Sequence, residues 1–126
     1  MLNVFCEEDC GNAPKKQLLK NVTIAYAKGD LPSVLEQVTD DVIWSVVGDK
    51  HIQGKEQFAN ELERFGHKTV TELHIEHIIT HGKEATVNGV LTFKHDNRYA
   101  FCDVYLFNSS AKHAKIKEIN SFVIRL

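Results

Sequence analysis

Residues 84–95 read EATVNGVLTFKH, and their side chains fall into two rows. Ala85, Val87, Gly89, Leu91 and Phe93 form one; Glu84, Thr86, Asn88, Thr92 and Lys94 form the other. A period of two is the signature of a β-strand with one face turned to a core. Such a face must be covered, and its neighbours in the chain say by what. Residues 69–81 (TVTELHIEHIITH), 98–107 (RYAFCDVYLF) and 114–126 (AKIKEINSFVIRL) are equally rich in β-branched and aromatic residues. The connectors between the four runs, GK, DN and NSSAKH, suit hairpins. The second half of the chain is therefore predicted to be a four-stranded antiparallel meander.

The first half supplies the cover. Across PKKQLLKNVTIAYAKGD, residues 14–30, the apolar positions Leu18, Leu19, Val22, Ala25 and Tyr26 recur at spacings of three and four, which is one face of a helix. Gly29 ends it, and Asp30 is placed to cap a second helix over LPSVLEQV, with Pro32 tolerated in the first turn. VIWSVV, residues 42–47, reads as a short buried strand after Asp40 and Asp41, which serve to close the helix and start the strand. Beyond Gly54, KEQFANELERF places Phe58, Leu62 and Phe65 at helical spacing. The expected class is α+β, with three N-terminal helices on one face of a curved antiparallel sheet. Residues 1–13 are expected to form an arm, and 14–126 a single domain.

Composition narrows function by exclusion. With 126 residues, 43% hydrophobic and 25% charged, the chain is an ordinary globular protein. A net charge of −2 gives no basic surface for nucleic acid or an anionic membrane. The apolar runs fall far short of the ~20 residues that span a bilayer, and MLNVFCEEDCGN lacks the basic start and apolar middle of a signal peptide, so a cytoplasmic setting is expected. Three cysteines are too few and odd in number for a secreted disulfide framework. Cys6 and Cys10 form C-x3-C beside Glu7, Glu8 and Asp9, whose negative charge disfavours thiolates, so a plain reduced segment is the expectation. No phosphate-binding glycine loop, G-x-S-x-G or H-E-x-x-H occurs, and no cofactor is expected.

The order helix, helix, short strand, helix, long meander resembles the nuclear transport factor 2-like superfamily, in particular its SnoaL-like branch. The resemblance is carried by AYAKGDLPSVLEQVTDDVIW, by IQGKEQF and by DVYLFNSSAKHAKIKEI, and it covers residues 14–126. It implies a cone-shaped, cystatin-like α+β barrel open at one end into a pocket, and commonly a homodimer built across the sheet. The superfamily includes isomerases, cyclases, dehydratases and epoxide hydrolases as well as binding and association modules without chemistry. Fold alone does not choose among them.

Within that frame the middle of residues 99–107, YAFCDVYLF, stands out. Strand parity puts Asp103 in a row with Tyr99, Phe101, Tyr105 and Phe107, an otherwise aromatic face. If that row faces a pocket, desolvation raises the carboxyl pKa and the acid becomes able to donate a hydrogen bond or move a proton. The resemblance implies the same: Asp103 falls where ketosteroid-isomerase-like members carry an oxyanion-binding acid. Their general base, however, falls near Ser45 and their helix tyrosine near Val22, neither of which suits the role. Tyr26 lies one turn further on.

The other candidates are less determined. Trp44, the sole tryptophan, is either a ligand-stacking wall or core. Tyr26, Phe58 and Asn120 join Tyr99, Phe101, Tyr105 and Trp44 as candidate ligand contacts. His74, His77 and His81 would converge as metal ligands on a helix, but on a strand His77 and His81 are about 13 Å apart, so no metal is expected. His74 or His77 is instead a candidate acid/base partner for Asp103. Three functions stay open: binding of a small hydrophobic or carbonyl-bearing ligand, a cofactor-independent isomerase, cyclase or dehydratase acting through Asp103, and an interaction module.

Overall fold

The computed structural model describes residues 2–6, 13–65 and 68–126. In chain order these form β1 (Asn3–Cys6), α1 (Pro14–Lys28), α2 (Leu31–Leu35), β2 (Val38–Val46), β3 (Lys50–Gln53), α3 (Lys55–Phe65), β4 (Val70–His81), β5 (Glu84–Phe93), β6 (Arg98–Phe107) and β7 (Ile116–Arg125). The seven strands make one curved, unclosed sheet in the order β1-β4-β5-β6-β7-β2-β3. The meander β4 to β7 is antiparallel throughout, as its hairpin connectors require. Two pairings are parallel, β1 with β4 and β2 with β7.

Local chemistry accounts for the helices. Pro14 opens α1, where its missing N–H costs nothing, and Gly29 closes it with φ of 76°, a left-handed conformation in which its N–H reaches back to the last turn. Asp30 caps α2 by accepting from the Ser33 amide at 3.4 Å and the Ser33 hydroxyl at 2.7 Å. α2 is shorter than its apolar spacing predicts, because Val38 leaves the helix to pair with Ile116 as the first residue of β2. The lone strand expected at 42–47 thus begins four residues earlier, across an irregularity between Val38 and Ile43. Asp40 and Asp41 lie exposed within it. Two edge strands, β1 and β3, were not signalled by the sequence; β1 occupies part of the expected N-terminal arm. Cys10 and the acids beside it fall outside the described residues, and Cys6 is half-buried at the end of β1.

The core is one cluster between helices and sheet. Leu19 and Val22 of α1, Val34 of α2, and Phe58 and Leu62 of α3 pack on Leu73, Ile75, Ile78, Val87, Phe107 and Ile116 from the strands. Burying each large apolar side chain contributes about 1.5–3 kcal/mol. At one end of the strands Lys15 ties α1 to two hairpins: its ammonium donates to the carbonyls of Ser110 (2.7 Å) and Gly82 (3.1 Å) and lies 5.4 Å from the centre of the Phe107 ring. At the other end the packing is incomplete, and a cavity opens.

Candidate functional site

The cavity has a volume of about 420 Å³ and lies between the three helices and the inner face of the sheet. That is the size of a site for a small organic molecule. Strand β6 runs down its wall. Tyr99, Phe101, Asp103 and Tyr105 all line it, because alternation along an unbroken strand keeps them on one face. Phe107, next in the row, is fully buried beneath.

Aromatic rings form much of the remaining wall. Tyr26 of α1 stacks on Phe65 of α3 at a centroid distance of 4.3 Å and meets Trp44 of β2 edge-on at 6.3 Å. Trp44 in turn meets Phe58 edge-on at 5.3 Å, and Phe93 bridges Phe65 and Tyr99 at 5.8 and 5.6 Å. These offset and edge geometries are the favoured ones for aromatic pairs. They form an aromatic enclosure around one inner carboxyl group.

That group is Asp103. Burial pushes its carboxyl up to about 6, while hydrogen bonds from Ser121 and Tyr105 work in the opposite direction by stabilising the carboxylate. Ser121 is itself held by Trp44, whose indole N–H donates to the Ser121 hydroxyl oxygen at 2.9 Å. Tyr105 neighbours Thr23, whose hydroxyl donates to the Leu19 carbonyl at 2.7 Å. A hydrogen-bonded chain thus crosses the aromatic wall from Trp44 through Ser121 to Asp103 and Tyr105, with Thr23 beside its end. Burial first, and then the Asp103 charge, raise the hydroxyls of both Tyr26 and Tyr105 well above the ordinary tyrosine value, so both are neutral donors near neutrality. The site can present a hydrogen-bond acceptor or, when protonated, a carboxylic acid to a ligand.

Three candidate residues lie elsewhere: His74 by plain alternation between inward Leu73 and Ile75, and His77 and Asn120 because their strands are irregular. β4 carries a register irregularity between Ile75 and His77, and β7 carries one opposite Leu106 and Phe107. An extra residue in a strand flips the parity of everything beyond it. On β4, Leu73, Ile75 and Ile78 face the core, while His74 packs against the Phe5 ring at 6.1 Å and exposed His77 hydrogen-bonds Asn88 at 3.0 Å. Neither histidine lines the cavity. On β7, Ile119, Ser121 and Val123 face inward instead of Asn120. Ser121 was the residue that strand reading missed; a period counted backwards from Val123, instead of forwards from Ile116, finds it. Ser45 is also outside the cavity, 2.9 Å from His51 Nδ1, whereas Val22 lines it. Among the described residues no three His, Cys, Asp or Glu side chains converge as a metal site.

At the mouth stand Asp49, Lys50, Glu61, Arg64 and Lys68. Glu61 is held by Lys50, and Arg64 approaches its other oxygen at 3.3 Å. The Lys50 hydrogen bond holds the Glu61 carboxyl below its usual range against the opposing effect of burial.

The SnoaL-like domain matches residues 20–118. The chain belongs to the SnoaL-like domain family. Solved structures agree on the fold. A nuclear transport factor 2-like protein of unknown function from Cytophaga hutchinsonii is 20% identical with a TM-score of 0.62, over 86% of this chain and 97% of that one. An LEH-like epoxide hydrolase from M. tuberculosis is 19% identical with a TM-score of 0.70, over 86% and 80%. A candidate SnoaL-like polyketide cyclase from Shewanella denitrificans is 15% identical with a TM-score of 0.73, over 87% and 90%. No curated protein sequence matches it significantly. At these identities the SnoaL-like fold is shared, and the chemistry has to be argued from the cavity.

Proposed function

We propose that this SnoaL-like protein binds a small hydrophobic or carbonyl-bearing molecule, with Asp103 hydrogen-bonding its polar group inside the aromatic enclosure. The observation that carries this reading is Asp103 itself: one carboxyl in an aromatic wall, supported from behind by Ser121 and Tyr105. The remaining acids of the lining, Asp49 and Glu61, stand at the mouth, and Glu61 is engaged by Lys50. Among the described residues, therefore, Asp103 has beside it no second carboxylate or histidine of the kind that two-group proton transfer uses. Its own polar neighbours are hydroxyls, which suit recognition. The test is a screen of aromatic ketones, phenols and carboxylates read by Trp44 fluorescence, since Trp44 is the only indole and lines the cavity. Ligands that shift Trp44 emission in the native protein and lose affinity in Asp103→Leu support the reading. A screen in which no compound enters the cavity overturns it.

One observation favours a second reading. A carboxyl titrating at about 6 is tuned for proton transfer at neutral pH, which would suit a cofactor-independent isomerase, cyclase or dehydratase. The epoxide hydrolase and the candidate polyketide cyclase among the neighbours lend it support. Asp103→Asn keeps the shape and removes the titration, so turnover of an identified substrate should vanish; unchanged turnover eliminates this reading.

A homodimer is part of the proposal. Phe122 and Ile124 of β7 and Ile79 of β4 are exposed apolar side chains on the sheet face away from the helices. A second copy laid across that face would cover them, and sedimentation equilibrium decides between monomer and dimer. Among the described residues no helix is long and apolar enough to cross a membrane. A cytoplasmic setting belongs to the same proposal.

A further inference from the structure

The charges at the cavity mouth do not match the chain that carries them. The whole sequence has a net charge of −2, yet among the described residues the mouth has three cations, Lys50, Arg64 and Lys68, against two acids, Asp49 and Glu61, the third acid of the lining, Asp103, lying further in. Glu61 is also the least available of the five. Its side chain is 14% exposed, against 42% for Lys50 and 75% for Arg64, so the acid lies beneath the cations it pairs with. Lys68 makes no direct ion pair among the described residues, although its charge is felt at Glu61. Low-dielectric walls focus such a field along the entrance.

We infer that the ligand is an amphipathic organic anion: an aromatic or aliphatic body seated between Trp44, Phe58 and Phe65, with a carboxylate left at the mouth against Lys68 and Arg64. This rests on the ligand-binding reading above and adds to it the chemical class of the ligand. The arrangement has a local origin. Arg64 is in the last turn of α3, and the backbone N–H of Lys68 donates to the Phe65 carbonyl at 2.9 Å, at the helix carbonyl end that favours cations. Lys50 opens β3 across the entrance and, through Glu61, orients Arg64 from the opposite side. An acid at the solvent end keeps its hydration on one side and gains the guanidinium and ammonium on the other, while the body is desolvated within. A neutral ligand of the same shape gains only the second part.

The test uses a matched pair, 2-naphthylacetate and 2-naphthylacetamide, titrated into the native protein at low salt with Trp44 emission and calorimetry as readouts. The acid is expected to bind about three- to fivefold more tightly than the amide, the range of a solvent-accessible ion pair. Lys68→Gln should reduce that ratio towards one, with the larger loss falling on the acid. Lys112→Gln, which removes an equal charge outside the cavity lining, should leave the ratio intact. Equal affinities for acid and amide, or an equal effect of the two lysine variants on the ratio, overturn the inference and leave the ligand-binding reading standing. Failure of both compounds to bind counts against both.

Discussion

Trp44 and Ser121 lie 77 residues apart in sequence and are joined by one hydrogen bond of 2.9 Å, from the indole N–H to the serine hydroxyl. Parallel pairing of β2 with β7 makes this possible by setting Trp44 beside Ile119 and Ser121 beside Val46. The hydroxyl that accepts from Trp44 donates its own proton to Asp103. One small side chain thus links the ligand wall to the acid.

Ser121→Ala tests that link. The substitution leaves the half-buried indole N–H without its acceptor and removes one of the two donors to the carboxylate. Leaving a buried polar group unpaired costs about 1–3 kcal/mol. The urea midpoint should fall accordingly, Trp44 emission should shift, and the Asp103 titration should move upward, since the lost bond favoured the charged form. An unchanged Trp44 spectrum would show that the indole is not held by Ser121.

Asp103 should make stability depend on pH in an unusual direction. Its folded value is about 6 against an ordinary 3.8, so between these limits the folded protein holds a proton that the unfolded chain has lost. Stability therefore falls as pH rises from about 4 to 6, by up to about 3 kcal/mol, and is flat in this respect above it. Glu61 has the opposite sign but acts at and below its ordinary 4.5, because its folded value is lowered. Asp103→Asn should flatten the slope between pH 5 and 6 and stabilise the protein at pH 7. Urea melts of both proteins at several pH values measure it, and a retained slope in Asp103→Asn would assign the titration to another group.

Which features were legible in the sequence follows from where the strands are regular. On β6 the alternation from Tyr99 to Phe107 is unbroken, so the inward position of Asp103 could be read from its neighbours alone. On β4 and β7 an irregularity intervenes, and a bulge has no dependable residue signature, so the inward positions of Ser121, in place of Asn120, and the outward position of His77 could not. α1 and α3 carry their own apolar stripes, and Pro14 and Gly29 bound α1, so both helices are legible to the residue or nearly so. β1 and β3 owe their form to partners distant in sequence or across a turn, and four residues offer too short a pattern. The charged mouth was invisible for another reason: Lys50, Glu61, Arg64 and Lys68 converge only after β3 and α3 are packed.

Gly89 should be irreplaceable, for lack of space and not for its conformation. A Cβ built there would stand 2.0 Å from the His74 carbonyl oxygen and 3.0 Å from its carbon, both backbone atoms that no side-chain rotation can move. Gly89→Ala must therefore separate β5 from β4 beside the irregularity at Ile75, at a cost of about 3 kcal/mol or more. Gly48 is the contrasting case, with φ of 82° and nothing within 4 Å of the added carbon. Gly48→Ala meets only backbone strain, about 1 kcal/mol. Thermal melts should show a much larger loss for Gly89→Ala, and similar losses would mean that the β4–β5 pair can relax around the added methyl.

Tyr26→Phe separates recognition from packing. The ring keeps its stack on Phe65 at 4.3 Å and its edge contact with Trp44, so stability should change by no more than about 0.5 kcal/mol. The hydroxyl lines the same cavity as Asp103 and stays protonated, held there by burial and by the nearby carboxylate, which makes it a donor towards a bound carbonyl. Losing one neutral hydrogen bond of about 0.5–1.5 kcal/mol should weaken a carbonyl-bearing ligand by about two- to tenfold. A hydrocarbon of equal size should bind Tyr26→Phe as well as the native protein. Calorimetry with an aromatic ketone and its deoxygenated analogue gives the comparison. Equal losses for the two would mean that the Tyr26 hydroxyl shapes the wall without meeting the ligand.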